Sequence, residues 1–226
     1  YRFMERFPTV EHLAEATEDE VLRLWQGLGY YSRARHLHVA AKQVVQLGGF
    51  PKTAREIMRL KGVGPYTAAA IASMAFGEDV AAVDGNVYRV LARHFGIDTP
   101  INSSQGQHLF HDLATTLLPT GKAGDFNQAL MDFGAMVCTP RAPHCLDCPL
   151  AGSCMALANG QQGILPVKLK TVKVKHLHFR CVYLRCKGYT AWLRRPAGSI
   201  WQGLWQPLLF EDDAQWQALL SSLPDG

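Results

Sequence analysis

The stretch Leu60-Lys-Gly-Val-Gly-Pro-Tyr-Thr-Ala-Ala69 places two glycines, one residue apart, between two segments of helical hydrophobic periodicity. Glycine adopts backbone conformations that are closed to other residues, and it lets an external group approach the main chain closely. Pro65 suits the first turn of a helix, where its missing N–H costs nothing. The loop around Gly62, Val63 and Gly64 then presents backbone amides next to a helix N-terminus. This stretch, called the hairpin below, therefore predicts a site that holds a phosphate backbone without reading base sequence.

Helical patterns surround the hairpin and account for the first 160 residues. Thr17 and Thr53 each precede a glutamate by three positions, which is the spacing of a capping box at a helix start. Apolar residues recur at helical intervals in three further segments, 87–95, 109–117 and 126–133. The connections are short and carry Gly or Pro. The sequence therefore predicts a mainly α fold, and the alternative for the hairpin is an ordinary helix–turn–helix corner.

Length and composition are those of a globular protein. The chain has 226 residues, of which 48% are hydrophobic and 19% charged, and its formal net charge is +4. A mild positive charge fits an anionic partner but does not require one. No apolar run approaches the roughly 20 residues that a membrane span needs, and the first residues do not have the pattern of a secretory signal. We therefore expect no membrane partner.

Four of the six cysteines lie within 17 residues, in a segment called the cysteine loop below. They are Cys138, Cys145, Cys148 and Cys154. In a chain without a secretory signal, such a group favours metal ligation over disulfide bonds. Tetrahedral zinc and a [4Fe–4S] cluster both accept four cysteines, and the single Cys-x2-Cys pair tilts the choice modestly toward iron–sulfur. Arg141, inside the loop, is expected to face a phosphate backbone.

The chain changes character after Gly160. Residues 165–180 carry five Lys or Arg and no acidic residue, with Val and Leu interspersed, which favours an exposed linker running into a strand. Two strand-like segments then flank Cys186-Lys-Gly188. We therefore expect four regions. Residues 1–100 and 101–160 would form two helical domains, residues 161–174 a basic linker, and residues 175–226 the start of a β-containing domain.

The hairpin, the stretch Val83-Asp-Gly-Asn-Val87 and the spacing of the four cysteines together resemble the endonuclease III superfamily of helix-hairpin-helix DNA glycosylases. Within that superfamily, residues 24–38 (Leu-Trp-Gln-Gly-Leu-Gly-Tyr-Tyr-Ser-Arg-Ala-Arg-His-Leu-His), residues 83–93 and the appended β region are similar to the adenine-specific branch. The resemblance implies a six-helix-barrel domain followed by a [4Fe–4S] module held by the four cysteines. It also implies that a Nudix-like α/β domain that recognises 8-oxoguanine begins after the linker.

The same resemblance implies an activity. Such an enzyme removes adenine paired with 8-oxoguanine or guanine in double-stranded DNA, and it flips the adenine out because the bond is inaccessible inside the stack. Asp84 would be the anion that stabilises the cationic sugar, and Asn86 would position that carboxylate. Asp84 can also be a helix N-cap, and the two roles are compatible. A cytoplasmic, nucleoid-associated bacterial monomer is the expected setting.

Tyr66 distinguishes two mechanisms within the superfamily. Lyases carry at this place a lysine whose amine forms a Schiff base with the sugar, so tyrosine implies a monofunctional glycosylase. Leu28 and Tyr30 match the wedge that the family inserts beside the oxidised guanine, although core positions for Tyr30 and Tyr31 are the alternative. His36 and His38 are expected to be structural or to face phosphate.

One family feature has no counterpart in this sequence. The general acid is a glutamate on an early helix, and no matching segment is present, so we expect the chain to be a fragment that is inactive alone. Two alternatives remain. One is a lyase of the endonuclease III type, which Tyr66 and the β region argue against, and the other is a non-catalytic iron–sulfur protein that binds DNA.

Overall fold

The computed structural model describes residues 1–170, 174, 176–210 and 212–222 and divides the chain into two compact units, Tyr1–Lys170 and Thr171–Gly226. Lys173 of the predicted linker and Lys175, the first residue of the predicted β-containing region, lie outside the described residues. Within the described ranges, no helix combines the length and the apolar character that crossing a membrane requires.

The first unit is helical, as the sequence predicts. Its helices are α1 (Arg2–Arg6), α2 (Val10–Glu15), α3 (Glu18–Leu24), α4 (Tyr31–Gln46), α5 (Ala54–Ile57), α6 (Pro65–Phe76), α7 (Gly85–Phe95), α8 (Ser104–Leu117), α9 (Ala123–Met136) and α10 (Met155–Ala158). Both predicted capping boxes are confirmed. The hydroxyls of Thr17 and Thr53 accept hydrogen bonds from the backbone N–H of Glu20 and Glu56, whose carboxylates return the contact. These bonds determine where α3 and α5 begin.

Three groups of buried side chains form the core of the first unit. The group around Phe7 joins α1–α4, and the group around Ile57 joins α4–α6. In the third group, Val87 and Leu91 of α7 pack against Phe110 of α8 and Ala156 of α10. A domain boundary at residue 100 would cut through this third group, because its members lie on both sides of that position.

The expectation of an exposed linker is wrong at Leu165 and Val167, whereas Gly163, Ile164 and residues 168–170 are exposed. Leu165 is only 4% exposed, and its carbonyl accepts a hydrogen bond from Nε of Arg93 at 3.0 Å. The carbonyl of Val167 accepts from the backbone N–H of Ile101, also at 3.0 Å. The apolar side chains of Leu165 and Val167 join the third core group, which holds this segment against the first unit.

The second unit contains short antiparallel strand pairs and one helix. The strands are β1 (Arg180–Val182), β2 (Arg185–Cys186), β3 (Tyr189–Thr190), β4 (Leu193–Arg194), β5 (Trp205–Gln206) and β6 (Leu208–Phe210), and α11 spans Asp213–Ser222. The pairs are β1 with β6, β2 with β3, and β4 with β5. The predicted turn is confirmed between β2 and β3, where Lys187 and Gly188 both have positive φ, as a two-residue hairpin requires.

Candidate active site

The two glycines of the hairpin differ in whether the fold requires a residue without a side chain. It does so at Gly62 but not at Gly64. Gly62 has φ +78°, and a Cβ there would lie 2.5 Å from the Cβ of His36 on α4. Gly64 has φ −97°, and a Cβ there would meet open space. The expectation that both glycines adopt conformations closed to other residues is therefore wrong for Gly64. Its missing side chain instead leaves the main chain bare at the start of α6, where an external group can approach.

Backbone amides of the hairpin are available to a ligand. Helix α6 begins at Gly64 without a side-chain cap, and Pro65 contributes no N–H. In the described part of the chain, the N–H groups of Gly62 and Gly64 donate to no protein acceptor. Leu60 is buried and Val63 half-buried in the core group around Ile57, which fixes the loop from beneath. The arrangement is therefore a preformed anion site of the kind that helix N-termini provide.

Asp84 is the N-cap of α7. Its Oδ1 accepts from the backbone N–H groups of Asn86 and Val87, each at 2.8 Å, and its Oδ2 accepts from the Asn86 side-chain amide at 3.0 Å. The carboxylate is half-buried and held by these three donors. The predicted capping role of Asp84 is therefore confirmed, and the Asn86 side chain contacts the same carboxylate.

Two residues that the sequence analysis did not single out hold Asn86 in place. The buried Arg89 donates from Nη2 to Asn86 Oδ1 at 2.7 Å and to the Gly134 carbonyl at 2.6 Å. Its Nε donates to the Cys138 carbonyl at 2.7 Å. A Cβ on Gly134 would lie 2.7 Å from Asn86 Cβ, so α9 needs glycine here to pack on α7. The helical spacing of Arg89 after Asn86 is the one signal that could have pointed to this contact.

Tyr66 lies close to Asp84. Burial, and secondarily the charge of Asp84, raises the pKa of the Tyr66 phenol above its ordinary value. The hydroxyl donates to Sδ of Met131 at 3.2 Å. Tyr66 also lines a groove of about 640 Å³ together with Arg55 and Val83, and the described residues around this groove include no lysine. The structure thus brings Tyr66, Asp84 and Asn86 together.

The loop before α4 carries two exposed apolar side chains. Leu28 is 65% and Tyr30 77% exposed, so the core alternative for Tyr30 is wrong. Tyr30 has φ +47° and lies next to Gly29, whose carbonyl accepts from Nε1 of Trp25 at 2.8 Å. The Arg33 guanidinium stacks over the Tyr30 ring at 5.3 Å. This conformation holds both side chains outward on a constrained loop.

The two histidines of α4 have different surroundings. His36 packs against the hairpin at Gly62, so it is structural there. His38 is 4% exposed, and its Nε2 has no hydrogen-bond partner among the described residues. A phosphate-facing role is therefore excluded for His38, because a phosphate cannot reach a side chain that is buried in the unit.

The cysteine loop surrounds one small cavity. All four cysteines are half-buried free thiols that line it, together with apolar side chains such as Val90, Phe133 and Leu157. In the part of the chain that the structure describes, no three Cys, His, Asp or Glu side chains lie close enough together to hold a metal ion. Burial, and secondarily the neighbouring thiols, raises the pKa of Cys145. The thiols are therefore arranged around a space and do not converge on a point.

Arg93 ties this loop to α7. Its side chain is buried and donates to the carbonyls of Thr139, Pro140 and Leu165 at 2.7–3.0 Å and to Sγ of Cys138 at 3.4 Å. It forms no ion pair with a described carboxylate. Arg141, predicted to face phosphate, is exposed on the same loop. A buried guanidinium beside four thiols favours a negatively charged group there.

Comparisons with known proteins agree with this geometry. Residues 1–114 match the profile of the HhH-GPD superfamily base excision DNA repair proteins. The adenine DNA glycosylase of Rattus norvegicus is 48% identical over 167 residues, which are 73% of this chain and 32% of that protein. The chain thus spans about a third of the length of that relative.

Two solved structures share the fold. A thermostable thymine-DNA glycosylase is 35% identical with a TM-score of 0.64, over 70% of this chain and 74% of that one. A non-covalent endonuclease III–DNA complex is 25% identical with a TM-score of 0.60, over 71% and 75% of the two chains. The family profile covers half of the chain and includes the hairpin, Tyr66, Asp84 and Asn86. The chain therefore belongs to the HhH-GPD superfamily of base excision DNA repair proteins.

Proposed function

We propose that the protein containing this chain is a monofunctional DNA glycosylase that removes adenine paired with 8-oxoguanine or guanine. The name of the rat relative supports adenine as the base. The sequence similarity of residues 24–38 and 83–93 to the adenine-specific branch supports the mispair. The observation that carries the proposal is the pair of Asp84 and Tyr66, a fixed carboxylate beside a phenol where a lyase needs an amine.

Asp84 has the properties that hydrolysis of an N-glycosidic bond requires. When adenine departs, the sugar develops positive charge, and an anion in a fixed position stabilises that charge most in the transition state. The three donors from Asn86 and Val87 fix the carboxylate before the reaction, so no reorganisation is needed as the charge forms. Arg89 in turn orients the Asn86 amide.

Tyr66 excludes the lyase route in this proposal. A Schiff base needs a primary amine, and no lysine is found among the described residues that line the groove beside Tyr66. A tyrosine phenol is protonated at neutral pH, and the raised pKa of Tyr66 keeps it a hydrogen-bond donor, which here contacts Sδ of Met131. The product is then an abasic site in an intact strand.

Duplex DNA is the proposed partner, bound by a monomer in the bacterial cytoplasm. The free amides of Gly62 and Gly64 would hold one phosphate, and Arg141 would contact another. Leu28 and Tyr30, held outward, would enter the stack and offset part of the unstacking cost of base flipping. The second unit would belong to a Nudix-like domain that recognises 8-oxoguanine, as its sequence similarity suggests.

A [4Fe–4S] cluster is the proposed cofactor, held by Cys138, Cys145, Cys148 and Cys154. Zinc needs its four sulfurs about 2.3 Å from one ion, whereas a cluster attaches each cysteine to a different iron and needs them spread around a space. The four thiols line a cavity and do not converge on a point, so their arrangement fits a cluster better than a single zinc ion. The cluster carries net negative charge, which compensates the buried Arg93. When bound, it would cross-link the loop and leave the bond cleavage to Asp84.

Single-turnover assays of the full-length gene product test this proposal. The duplexes carry A·8-oxoguanine, A·G, T·G or an oxidised pyrimidine opposite guanine, and each product is analysed with and without alkali. We expect strand breaks at an adenine that lies opposite 8-oxoguanine or guanine, and at no other position. These breaks should appear only after alkali treatment. Asp84→Asn should slow the reaction by about 10²–10³-fold, since it removes the anion. Thymine release from T·G, or breaks without alkali, would contradict the proposal.

Tyr66→Lys tests the mechanism from the other side. The new amine would lie near the sugar, so we expect some strand cleavage without alkali and a covalent adduct that borohydride traps. Tyr66→Phe is the matched control, because it removes the hydroxyl without adding an amine and should form no adduct. An adduct in the Tyr66→Phe protein would show that another amine reaches the sugar.

A further inference from the structure

His94 has a buried nitrogen that the described structure leaves without a partner. It follows Arg93 on α7 and lines the same cavity as the four cysteines. Its Nδ1 is inaccessible to solvent and makes no hydrogen bond among the described residues. The ring packs edge-on against Phe95, with 4.8 Å between centroids, which restrains its orientation.

A buried imidazole nitrogen without a hydrogen-bond partner is costly. Leaving one unsatisfied destabilises a protein by about 1–3 kcal/mol, so such groups usually have a partner that stabilises them. The cavity wall beside His94 consists largely of sulfur and hydrocarbon, from the four cysteines and residues such as Val90 and Phe133. The neighbouring Arg93 already donates to a sulfur, Sγ of Cys138. Besides the side chains of His144 and Gln162, which line the same cavity, the acceptors that its lining offers are the four cysteine sulfurs.

We propose that the Nδ1–H of His94 donates a hydrogen bond to the sulfur atoms of the cysteine-bound cluster and thereby raises its reduction potential. The inference rests on the [4Fe–4S] cofactor proposed above and adds a positioning and tuning residue to it. Hydrogen bonds to cluster sulfurs withdraw electron density and stabilise the more reduced state.

Three substitutions of His94 separate donor position from bulk. His94→Leu removes the donor. Asn carries its amide nitrogen as many bonds from Cα as Nδ1, so His94→Asn should restore the hydrogen bond. Gln carries its nitrogen one bond further, near the place of Nε2, so His94→Gln should not. Two controls are Gln162→Leu, another polar residue that lines the cavity, and His111→Leu, an exposed histidine on α8.

The measurements use the purified holoprotein, with iron and sulfide content determined first. Protein-film voltammetry gives the cluster midpoint potential, and resonance Raman spectra in H₂O and D₂O report hydrogen bonds to sulfur. We expect a lower potential and a smaller deuterium shift of the Fe–S bands in His94→Leu and His94→Gln. We expect values near the wild type in His94→Asn and in both controls.

The outcomes distinguish this inference from the cofactor proposal. A wild-type protein without iron and sulfide would overturn both. A normally loaded His94→Leu protein with an unchanged potential and deuterium shift would overturn the role of His94 alone. If His94→Leu fails to load, the comparison of His94→Asn with His94→Gln decides, and equal potentials in those two proteins would overturn the inference.

Discussion

The hairpin and the cysteine loop are both short irregular segments with proposed contacts to DNA, but they are held in different ways. The hairpin is fixed by its own chain. Thr53 caps the helix before it, Leu60 enters the core group around Ile57, and Gly62 fits against His36. The cysteine loop is held by long side chains from α7, since Arg89 and Arg93 donate to its carbonyls.

The difference indicates which segment can form without a cofactor. Backbone geometry and apolar burial give the hairpin its conformation as soon as α5 and α6 pack. The cysteine loop contributes few buried apolar residues. The two α7 arginines that hold it, Arg89 and Arg93, are buried charged groups that need a compensating charge. We therefore expect the hairpin to persist without metal and the cysteine loop to depend on what the thiols bind.

The largest effect is expected from Arg93→Met. The substitution leaves the carbonyls of Thr139, Pro140 and Leu165 without their donor, and each buried unsatisfied group costs about 1–3 kcal/mol. We expect the free energy of unfolding of the holoprotein to fall by about 3 kcal/mol or more, measured by urea denaturation. Arg59→Met, an exposed arginine of the turn before the hairpin, should change it by less than about 0.5 kcal/mol. Equal effects would show that the cysteine loop does not depend on Arg93.

A smaller effect is expected from Gly62→Ala. The alanine would have to adopt a left-handed backbone conformation, and its Cβ would lie 2.5 Å from the Cβ of His36. We therefore expect a loss of about 1–3 kcal/mol in the free energy of unfolding. Gly64→Ala is the matched control, because φ is negative and the space is open. It should leave stability nearly unchanged but weaken duplex binding in a fluorescence anisotropy titration. Unchanged binding would remove Gly64 from the proposed phosphate site.

The smallest effect is expected from Thr53→Ala, which removes the α5 cap. Loss of the Thr53 hydroxyl should cost about 1 kcal/mol at pH 7 in urea denaturation. Hydrogen bonds from Thr53 lower the pKa of Glu56 below 4.5, so the carboxylate contribution is present above that pH and is lost as the pH falls through the folded-state pKa. The difference in free energy of unfolding between wild type and Thr53→Ala should therefore decrease as the pH falls through the folded-state pKa of Glu56. Thr17→Ala, which removes the equivalent capping box from α3, should lower the free energy of unfolding by a similar amount. Because α3 does not directly precede the hairpin, this variant should not weaken DNA binding.

The candidate site could be predicted from sequence where function depends on local chain geometry. The hairpin, the capping role of Asp84 and the cysteine spacing are encoded within a few residues each, and the structure or the family match bears out the helical fold around them. Gly134 could not be found in this way, and for Arg89 the helical spacing after Asn86 is the one local signal. Their partners lie 45 or more residues away for the main contacts, and no spacing rule connects a glycine of α9 to an amide of α7.

The sequence by itself determined the helices, their caps and the short motifs, because these depend on neighbouring residues and on the conformational limits of Gly, Pro and Thr. Only the tertiary structure decided that Tyr66 lies close enough to Asp84 for its pKa to respond, that Leu165 is buried, and that His94 lines the cysteine cavity. The physical reason is that burial and electrostatic contact depend on distance in space, and packing brings together residues that the sequence keeps far apart.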